Sequence, residues 1–483
     1  MNLYSDFELN LEAFKADYKD CSDFILREAQ VNGKRAFFCV MDGLVNSLQL
    51  GETVVEPIIK SRITFNTDAE HMKKLRECAV SSLEVNEAES FEECAFFLMS
   101  GFLIFCLEGC KTALAFGVQE WSRRTTDEPT NEAMVKGAKE CFVETLNDNK
   151  ALLRKRLKTP DLKLKQLKLG KAAPTPAVIA YMKSKTDEST VKEIENRLLN
   201  SNLELVCDYG SLAPFIDGKH ASLFSAVGNT ERPDVLASKL LEGRVGIMVE
   251  GTPFVMYTPY LFTDNFSSLD DYNNPPYYAS FVRLLKYFSF LISLFLPALY
   301  VAIGSFHQEM IPTTLLYIIA SSEDTTPLPL VLEAVLIHIL YEIMREAGLR
   351  LPKAIGHAVS IIGAIVIGEA MVSAGLIGEP MLVVVALTAI SSYAVYPLYE
   401  RVAVLRIVFV IIAGFTGLYG VTLSFCVLCV NICALNSYGV PYSVPLSPLT
   451  ASSVGDTVLR VGWKRLAGRE VIINNLEGTD ETK

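Results

Sequence analysis

Glu242-Gly243-Arg244-Val245, then Glu250-Gly251-Thr252-Pro253-Phe254, then an Asp/Tyr/Pro-rich segment, lead into the apolar run Leu284–Ile303. That run closes in Ser305-Phe306-His307-Gln308-Glu309-Met310-Ile311-Pro312. A charged, water-soluble sequence here hands over to one written for hydrocarbon, because Leu284–Ile303 is about as long as a bilayer is thick. Glu242 and Arg244 on the soluble side, with His307 and Glu309 beyond the apolar run, are the candidate residues for coupling the two parts.

The imbalance spreads outward from this point. The chain has 483 residues, 50% of them hydrophobic, and a mean hydropathy of +0.29. The excess lies downstream, where Arg283, Lys286, Arg345, Arg350, Lys353, Arg401 and Arg406 are the only Lys or Arg between Phe281 and Thr450. The N-terminus lacks the basic region and apolar core of a signal peptide, so the first domain is expected to stay cytoplasmic. A net charge of −11 argues against a nucleic-acid binder, which needs a basic face. Eleven scattered cysteines do not form a disulfide framework. Cys426, Cys429 and Cys433, three and four apart, read as small apolar residues, since no His or carboxylate accompanies them, with a metal or redox cluster as the alternative.

Upstream, the expected organisation is two cytoplasmic α/β subdomains. The first covers 1–155. It holds a helix over Glu8–Ala29, a strand over Arg35–Met41, and a hairpin of Gly101–Leu107 and Thr112–Gln119 about Glu108-Gly109. A basic linker, 156–176, follows. The Lys/Arg-rich stretch Arg154–Lys171 reads as a solvated helix or linker, with contact to anionic headgroups as the alternative. The second subdomain covers 177–280. It has a strand at Ala177–Met182, a helix over Thr190–Asn200 capped by Asp187 or Ser189, and a second hairpin about Glu250-Gly251.

Downstream, 281–450 reads as a transmembrane helical domain and 451–483 as a C-terminal tail. Leu284–Ile303, Leu328–Ile343, Ile355–Ala374, Met381–Pro397 and Ile407–Leu435 are apolar enough to cross, and Ile311–Ala320 is too short. Four to six transmembrane or re-entrant helices result. Basic residues before the first span, between the second and third, and before the last place the N-terminus inside. An internal tail requires either a return through Val440–Leu449 or a last run that crosses twice. That run carries Gly414, Gly417 and Gly420, which allow it to bend.

No catalytic constellation is present. His307-Gln308-Glu309 lacks the second His of a zinc hydrolase, and there is no nucleophile elbow, phosphate loop or dinucleotide fingerprint. No enzyme, cofactor or metal is expected. The chemistry that remains is polar chemistry inside the membrane: Glu333, His338 and Glu342 on the second span and Glu369 on the third. A carboxylate in hydrocarbon faces a pore, a partner or another subunit. The third span is also small at Gly356, Ser360, Gly363, Ala364, Gly368 and Ala370, which lets backbones approach closely. A packed helix seam and a pore lined by this span across several subunits are both open readings.

The wording of the chain resembles one family. Glu231-Arg232-Pro233-Asp234, Leu241-Glu242-Gly243-Arg244-Val245, Phe306-His307-Gln308-Glu309-Met310-Ile311-Pro312, Arg345-Glu346-Ala347-Gly348, Ala386-Leu387-Thr388-Ala389-Ile390 and Tyr438-Gly439-Val440-Pro441-Tyr442 are similar to the A subunits of spore germinant receptors, the GerA family. The resemblance implies two cytoplasmic α/β subdomains on a membrane domain, in the multi-pass setting of the spore inner membrane. It implies a nutrient-gated ion channel formed by a homo-oligomer, a pentamer, working with a transporter-like B subunit and a lipoprotein C subunit. A related branch encoded with the dipicolinate-channel genes shares the architecture, and a non-conducting membrane scaffold is the rival from another class. The chain departs from the family at Asn273-Asn274-Pro275, at His338 and at Glu369, where Gln is usual.

Overall fold

The computed structural model describes residues 2–46, 50–60, 72–76, 84–119, 129, 131–132, 134, 136–217, 222–352, 368–448, 455–468, 472–476 and 479. Its N-terminal half contains two five-stranded sheets. The first joins β1 (Phe24–Val31), β2 (Lys34–Met41), β3 (Val85–Ala88), β4 (Phe102–Leu107) and β5 (Ala113–Gly117) in the order β1-β2-β4-β5-β3. The second joins β6 (Leu162–Leu169), β7 (Thr175–Met182), β8 (Gly228–Thr230), β9 (Val245–Val249) and β10 (Val255–Thr258) in the order β6-β7-β9-β10-β8. Every pairing in both sheets is antiparallel.

The two orders are the same topology written twice. Helix α1 (Phe7–Asp17) precedes β1 and α2 (Phe91–Met99) precedes β4. Helix α3 (Leu146–Arg156) precedes β6, α4 (Glu188–Leu199) follows β7, and α5 (Pro233–Leu241) precedes β9. Gly101 and Gly243, both at positive φ, end α2 and α5, the left-handed position at which glycine closes a helix. Glu108-Gly109 and Glu250-Gly251, again with glycine at positive φ, turn the equivalent hairpins. The sequence shows no repeat, so the duplication lies in the backbone plan and its turn residues.

Each sheet buries both faces. Phe37, Cys39, Met41 and Ile104 pack under α1 and α2, while Phe38, Val40, Leu103 and Phe105 form a second core behind. In the second unit Val178, Ala180 and Met248 pack with Leu146 and Leu153 of α3 and Leu236 of α5, and Ile179 and Ile247 pack with Val191, Ile194 and Leu198 of α4.

Three sequence expectations are corrected here. The 156–176 linker is largely strand, because Leu-Lys-Leu-Lys-Gln-Leu-Lys-Leu alternates at the period of a sheet. Leu162 and Leu164 reach one core and Leu167 and Leu169 the other. The first unit does not run to 155, since α3 belongs to the second core. The helix expected over Glu8–Ala29 stops at Asp17, and Phe24–Val31 pairs residue for residue with β2.

Arg154 is not a solvated linker residue either. It is 1% exposed, and its Nε donates to Asp23 Oδ2 at 2.7 Å and its Nη2 to Asp23 Oδ1 at 3.1 Å. This pair stitches the units together where residues 20–22 hydrogen-bond Leu164. Removing one partner of a buried pair strands the other charge. Asp23→Asn is therefore expected to lower unfolding free energy by about 3–5 kcal/mol, read by denaturant titration of the purified chain.

The second half is a helix bundle. Helix α6 (Pro276–Phe306), 31 residues long, leads from the second sheet to a far end about 46 Å away. The short α7 (Thr313–Glu323) follows. Helix α8 (Leu330–Arg350) starts at the far end, where Leu330 meets Gly304, and brings Glu342 back to Tyr399 at the sheet end. Helix α9 (Glu379–Ala394) also starts at the far end, with Gly378 against Glu333, and ends where Tyr393 meets Tyr341. Residues 353–367, which hold most of the expected third span, lie outside the described residues.

Helix α10 (Tyr399–Ala434) is a hairpin, not one long span. Gly417 has φ 62° and ψ −148°, backbone that only glycine adopts readily. Phe295 packs on Phe409 at 5.3 Å and on Phe425 at 5.4 Å, two rings placed symmetrically about Gly417. A Cβ on Gly420 would lie 2.7 Å from Ile412 Cγ2. In a straight helix eight residues span about 12 Å. The two arms, 399–416 and 418–434, are each about 26 Å long, and the second returns to the sheets, where Ser222 Oγ donates to Asn431 Oδ1 at 2.7 Å. The tail then packs on the second unit: Ile473 N donates to Glu242 O at 2.8 Å and Arg460 Nε to Asp271 O at 3.3 Å. By length and composition, two described helices are apolar enough to cross a membrane, Pro276–Phe306 and Tyr396–Ala434; the hairpin makes the second a pair of shorter arms.

Candidate functional site

The residues that join sheet to bundle form a compact polar and aromatic joint. The helix-ending Gly243 lets the chain turn sharply, so Glu242 and Arg244 stand on either side of it, just before β9. Arg244 is 3% exposed. Its Nε donates to Glu242 Oε2 at 3.0 Å, its Nη2 to Asp264 Oδ1 at 3.2 Å and its Nη1 to Pro259 O at 2.8 Å. Lys239 Nζ adds a bond to Asp264 Oδ1 at 2.9 Å, and Leu261 N donates to Asp264 Oδ2 at 2.9 Å. Burial alone would push the Asp264 carboxyl up, but Arg244 and Lys239 outweigh it and hold it well below the usual carboxylate range.

Asp264 thereby fixes the turn Phe262–Phe266, which carries the rings that grip α6. Phe266 stacks on Tyr287 at 4.0 Å, and Phe262 meets Phe290 edge-on at 5.8 Å. Tyr442, from the segment that follows α10, closes the collar against Phe224 and Phe262. One turn of α6 nearer the sheet, fully buried Arg283 donates from Nε to Asp271 Oδ2 at 3.1 Å and reaches the Asp456 carbonyl. Tyr272 Oη donates to Asp456 Oδ2 at 3.0 Å. The second unit thus meets α6 and the tail through side chains in direct contact.

The four coupling candidates divide between two places. Glu242 and Arg244 belong to this joint. His307 and Glu309 lie at the other end of α6, a helix's length away, and do not touch it; His307 instead sits over the hairpin tip, where a Cβ on Gly417 would be 3.1 Å from its Cε1. Sequence adjacency to the apolar run concealed that the run carries them across. Asp264, Asp271 and Asp456, which complete the joint, carry no sequence signal except their position in the Asp/Tyr-rich segment and tail.

The candidates expected on the apolar spans also separate. Glu333 is 1% exposed, and Gly378 N, before the first turn of α9, donates to its Oε1 at 2.6 Å. His338, 2% exposed, is likewise enclosed within the chain. Glu342 binds Tyr399 and Arg345 at 2.8 and 2.9 Å. Gly368 is buried, with Leu382 Cδ1 3.5 Å from a Cβ built on it, so it serves packing within the chain. Glu369 is exposed. Ser360 and Gly363 lie outside the described residues. Among the described residues no three His, Cys, Asp or Glu side chains converge as a metal site.

The GerA model, described as Bacillus/Clostridium GerA spore germination protein, matches residues 12–472. The chain is 35% identical over 459 residues to spore germination protein KA of Bacillus subtilis (strain 168), covering 94% of this chain and 84% of that protein. It is 33% identical over 464 residues to the uncharacterized membrane protein YfkQ of the same organism, covering 95% and 90%. The crystal structure of the N-terminal domain of the A subunit of the Bacillus megaterium spore germinant receptor GerK3 superposes with a TM-score of 0.43 at 25% identity, covering 54% of this chain and 98% of that one. A match over nearly the whole length, together with relatives of this identity and coverage, places the chain in the GerA family of spore germination proteins.

Proposed function

We propose that this chain is an A-type subunit of a nutrient-responsive germinant receptor, a multi-pass protein of the spore inner membrane that oligomerises and gates ion flow. Family membership is the observation that carries the reading, and the bundle supports its membrane half. Phe281, Leu284, Phe288 and Leu291 of α6, Ile339 and Ile343 of α8, Val383, Leu387 and Ile390 of α9 and Phe415, Leu423 and Val430 of α10 are all exposed. Apolar faces turned outward around a whole bundle suit lipid, not water. One relative carries the name of a membrane protein. The partners are other copies of the chain, five in a ring, with the transporter-like B subunit binding the nutrient and the lipoprotein C subunit alongside; no catalysis is involved.

Orientation follows from charge. Arg283, Lys286, Arg345 and Arg401 cluster towards the sheet end, whereas Ser305–Pro327 and Ala374–Met381 hold no Lys or Arg. By the positive-inside rule both sheets, and the tail that packs on the second of them, lie in the cytoplasm. Cys207, exposed on the second unit, is the probe, since Cys21 is buried. A membrane-impermeant maleimide is expected to leave Cys207 unmodified in intact cells and to label it once the membrane is opened. Equal labelling in both would reverse the orientation.

A further inference from the structure

We propose that the groove between the two arms of α10 seats one tail of an anionic phospholipid from the sheet-side leaflet, with its phosphate at Arg401. This rests on the membrane reading above. The arms border a cavity of about 750 Å³, within the range of ligand-binding clefts. Leu405, Phe409 and Ile412 line it from the first arm and Leu423 and Leu428 from the second, while Ser222 and Phe224 of the second unit close its sheet end. Leu423 and Val427 are more than half exposed, so the groove opens to the outside of the bundle. From Leu405 to Thr416 it follows eleven residues of helix, about 16 Å. One leaflet of hydrocarbon, half of the bilayer core, is about 15 Å deep. A helix from a second copy fits poorly. With side chains a helix is about 10 Å across, so a 16 Å length of it fills roughly 1,250 Å³, well over the volume of the groove. A hydrocarbon tail is thinner and asks only for apolar walls.

Polar groups that the chain leaves open set the headgroup end. Arg401 lies one turn before Leu405, on the helix face that carries Leu405, Val408 and Ile412. It is half-buried, and among the described residues it has no hydrogen bond or ion pair. Tyr442, within its electrostatic reach, packs on Phe224, so the guanidinium stands at the sheet end of the groove. Asn431 also lines that end. Its Oδ1 accepts from Ser222 Oγ at 2.7 Å, which leaves the amide Nδ2 without a partner among the described residues. An open cation and an open amide donor at the mouth of an apolar groove, at the depth where headgroups lie, suit a phosphate on a lipid of net negative charge.

The test uses the purified full chain in neutral detergent, stripped of lipid. Dioleoyl phosphatidylglycerol or dioleoyl phosphatidylcholine is added back, and bound lipid is counted by native mass spectrometry. The expected result is saturable binding of phosphatidylglycerol, about fivefold tighter than phosphatidylcholine, which corresponds to about 1 kcal/mol for one Arg. Arg401→Gln is expected to erase the preference while both lipids still bind. Ser424→Trp, which fills the groove, is expected to weaken both by at least about tenfold. Equal binding of the two lipids by the unmodified chain, or a preference that survives Arg401→Gln, overturns the proposal. So does a Ser424→Trp chain that loses self-association and keeps its lipid, because the groove would then seat a second copy. Should Ser424→Trp fail to fold, the Arg401→Gln comparison decides alone. A chain that alkaline carbonate strips from membranes refutes the membrane reading itself; one that stays in the membrane and shows no lipid preference refutes this proposal alone.

Discussion

Gly417→Val is expected to unmake the helical hairpin. At φ 62° and ψ −148° a β-branched residue is strained by about 1–3 kcal/mol. The added atoms also have nowhere to go, because Phe306 Cβ and His307 Cε1 would each be 3.1 Å from the new Cβ. Overpacking of that kind costs about 1–3 kcal/mol more. The cheapest relief is to straighten α10, which carries its second arm and the tail away from the sheets. Ser222–Asn431 and Ile473–Glu242 would then break. A reporter cysteine at Asn475, labelled from outside intact cells, reads the outcome. The account predicts protection in the unmodified chain and labelling in Gly417→Val. Gly439→Val, also at positive φ but with nothing within 4 Å of its Cβ position, is the control for strain alone and should stay protected.

Asp264→Asn is expected to cost about 3–5 kcal/mol at neutral pH, because it leaves Arg244 buried without its main counter-charge. The pH dependence has a definite sign. Burial raises the Asp264 pKa and Arg244 and Lys239 lower it by more, so the native value lies below the unfolded value of 3.8. Such a carboxylate stabilises the native state fully above its unfolded pKa, and that contribution fades as pH falls through the native one. The stability gap between the unmodified chain and Asp264→Asn should thus stay level from pH 7 to 5 and narrow only below about pH 4. Denaturant titrations across that range measure it; a gap that closes between pH 7 and 5 would mean that the carboxylate is not held low. The same variant loosens the turn carrying Phe262 and Phe266, so the link from the second sheet to α6 should weaken with it.

What the sequence disclosed follows the range of its signals. Glu108-Gly109 and Glu250-Gly251 announce hairpins because turn chemistry is local. The apolar runs announce helices because burial in lipid needs length. The strand β6 was hidden by its lysines: composition suggested a solvated linker, while the alternation of Leu162, Leu164, Leu167 and Leu169 held the answer. Duplication was hidden because the same topology tolerates different core residues in each unit. The joint was half visible. Arg244 stands out beside an apolar run, but Asp264, which holds it, is 20 residues away and is paired only by the fold. His307 and Glu309 looked like joint residues because nothing local says which side of a span they occupy. Three glycines flagged that the last run bends, and only the backbone at Gly417 shows that it reverses.

The central claim, a subunit that gates ions, is tested most directly by ion flux. The chain is reconstituted in liposomes together with its B-type and C-type partners, and cation efflux is recorded on adding nutrient. The account predicts nutrient-triggered efflux that needs this chain. It also predicts that Glu369→Lys, on an exposed position of the third span, abolishes the efflux or turns its preference to anions, because a carboxylate near the ion path favours cations, while Glu369→Gln only weakens it. Complete receptor complexes that bind nutrient yet pass no ions would contradict the account and leave the chain a scaffold.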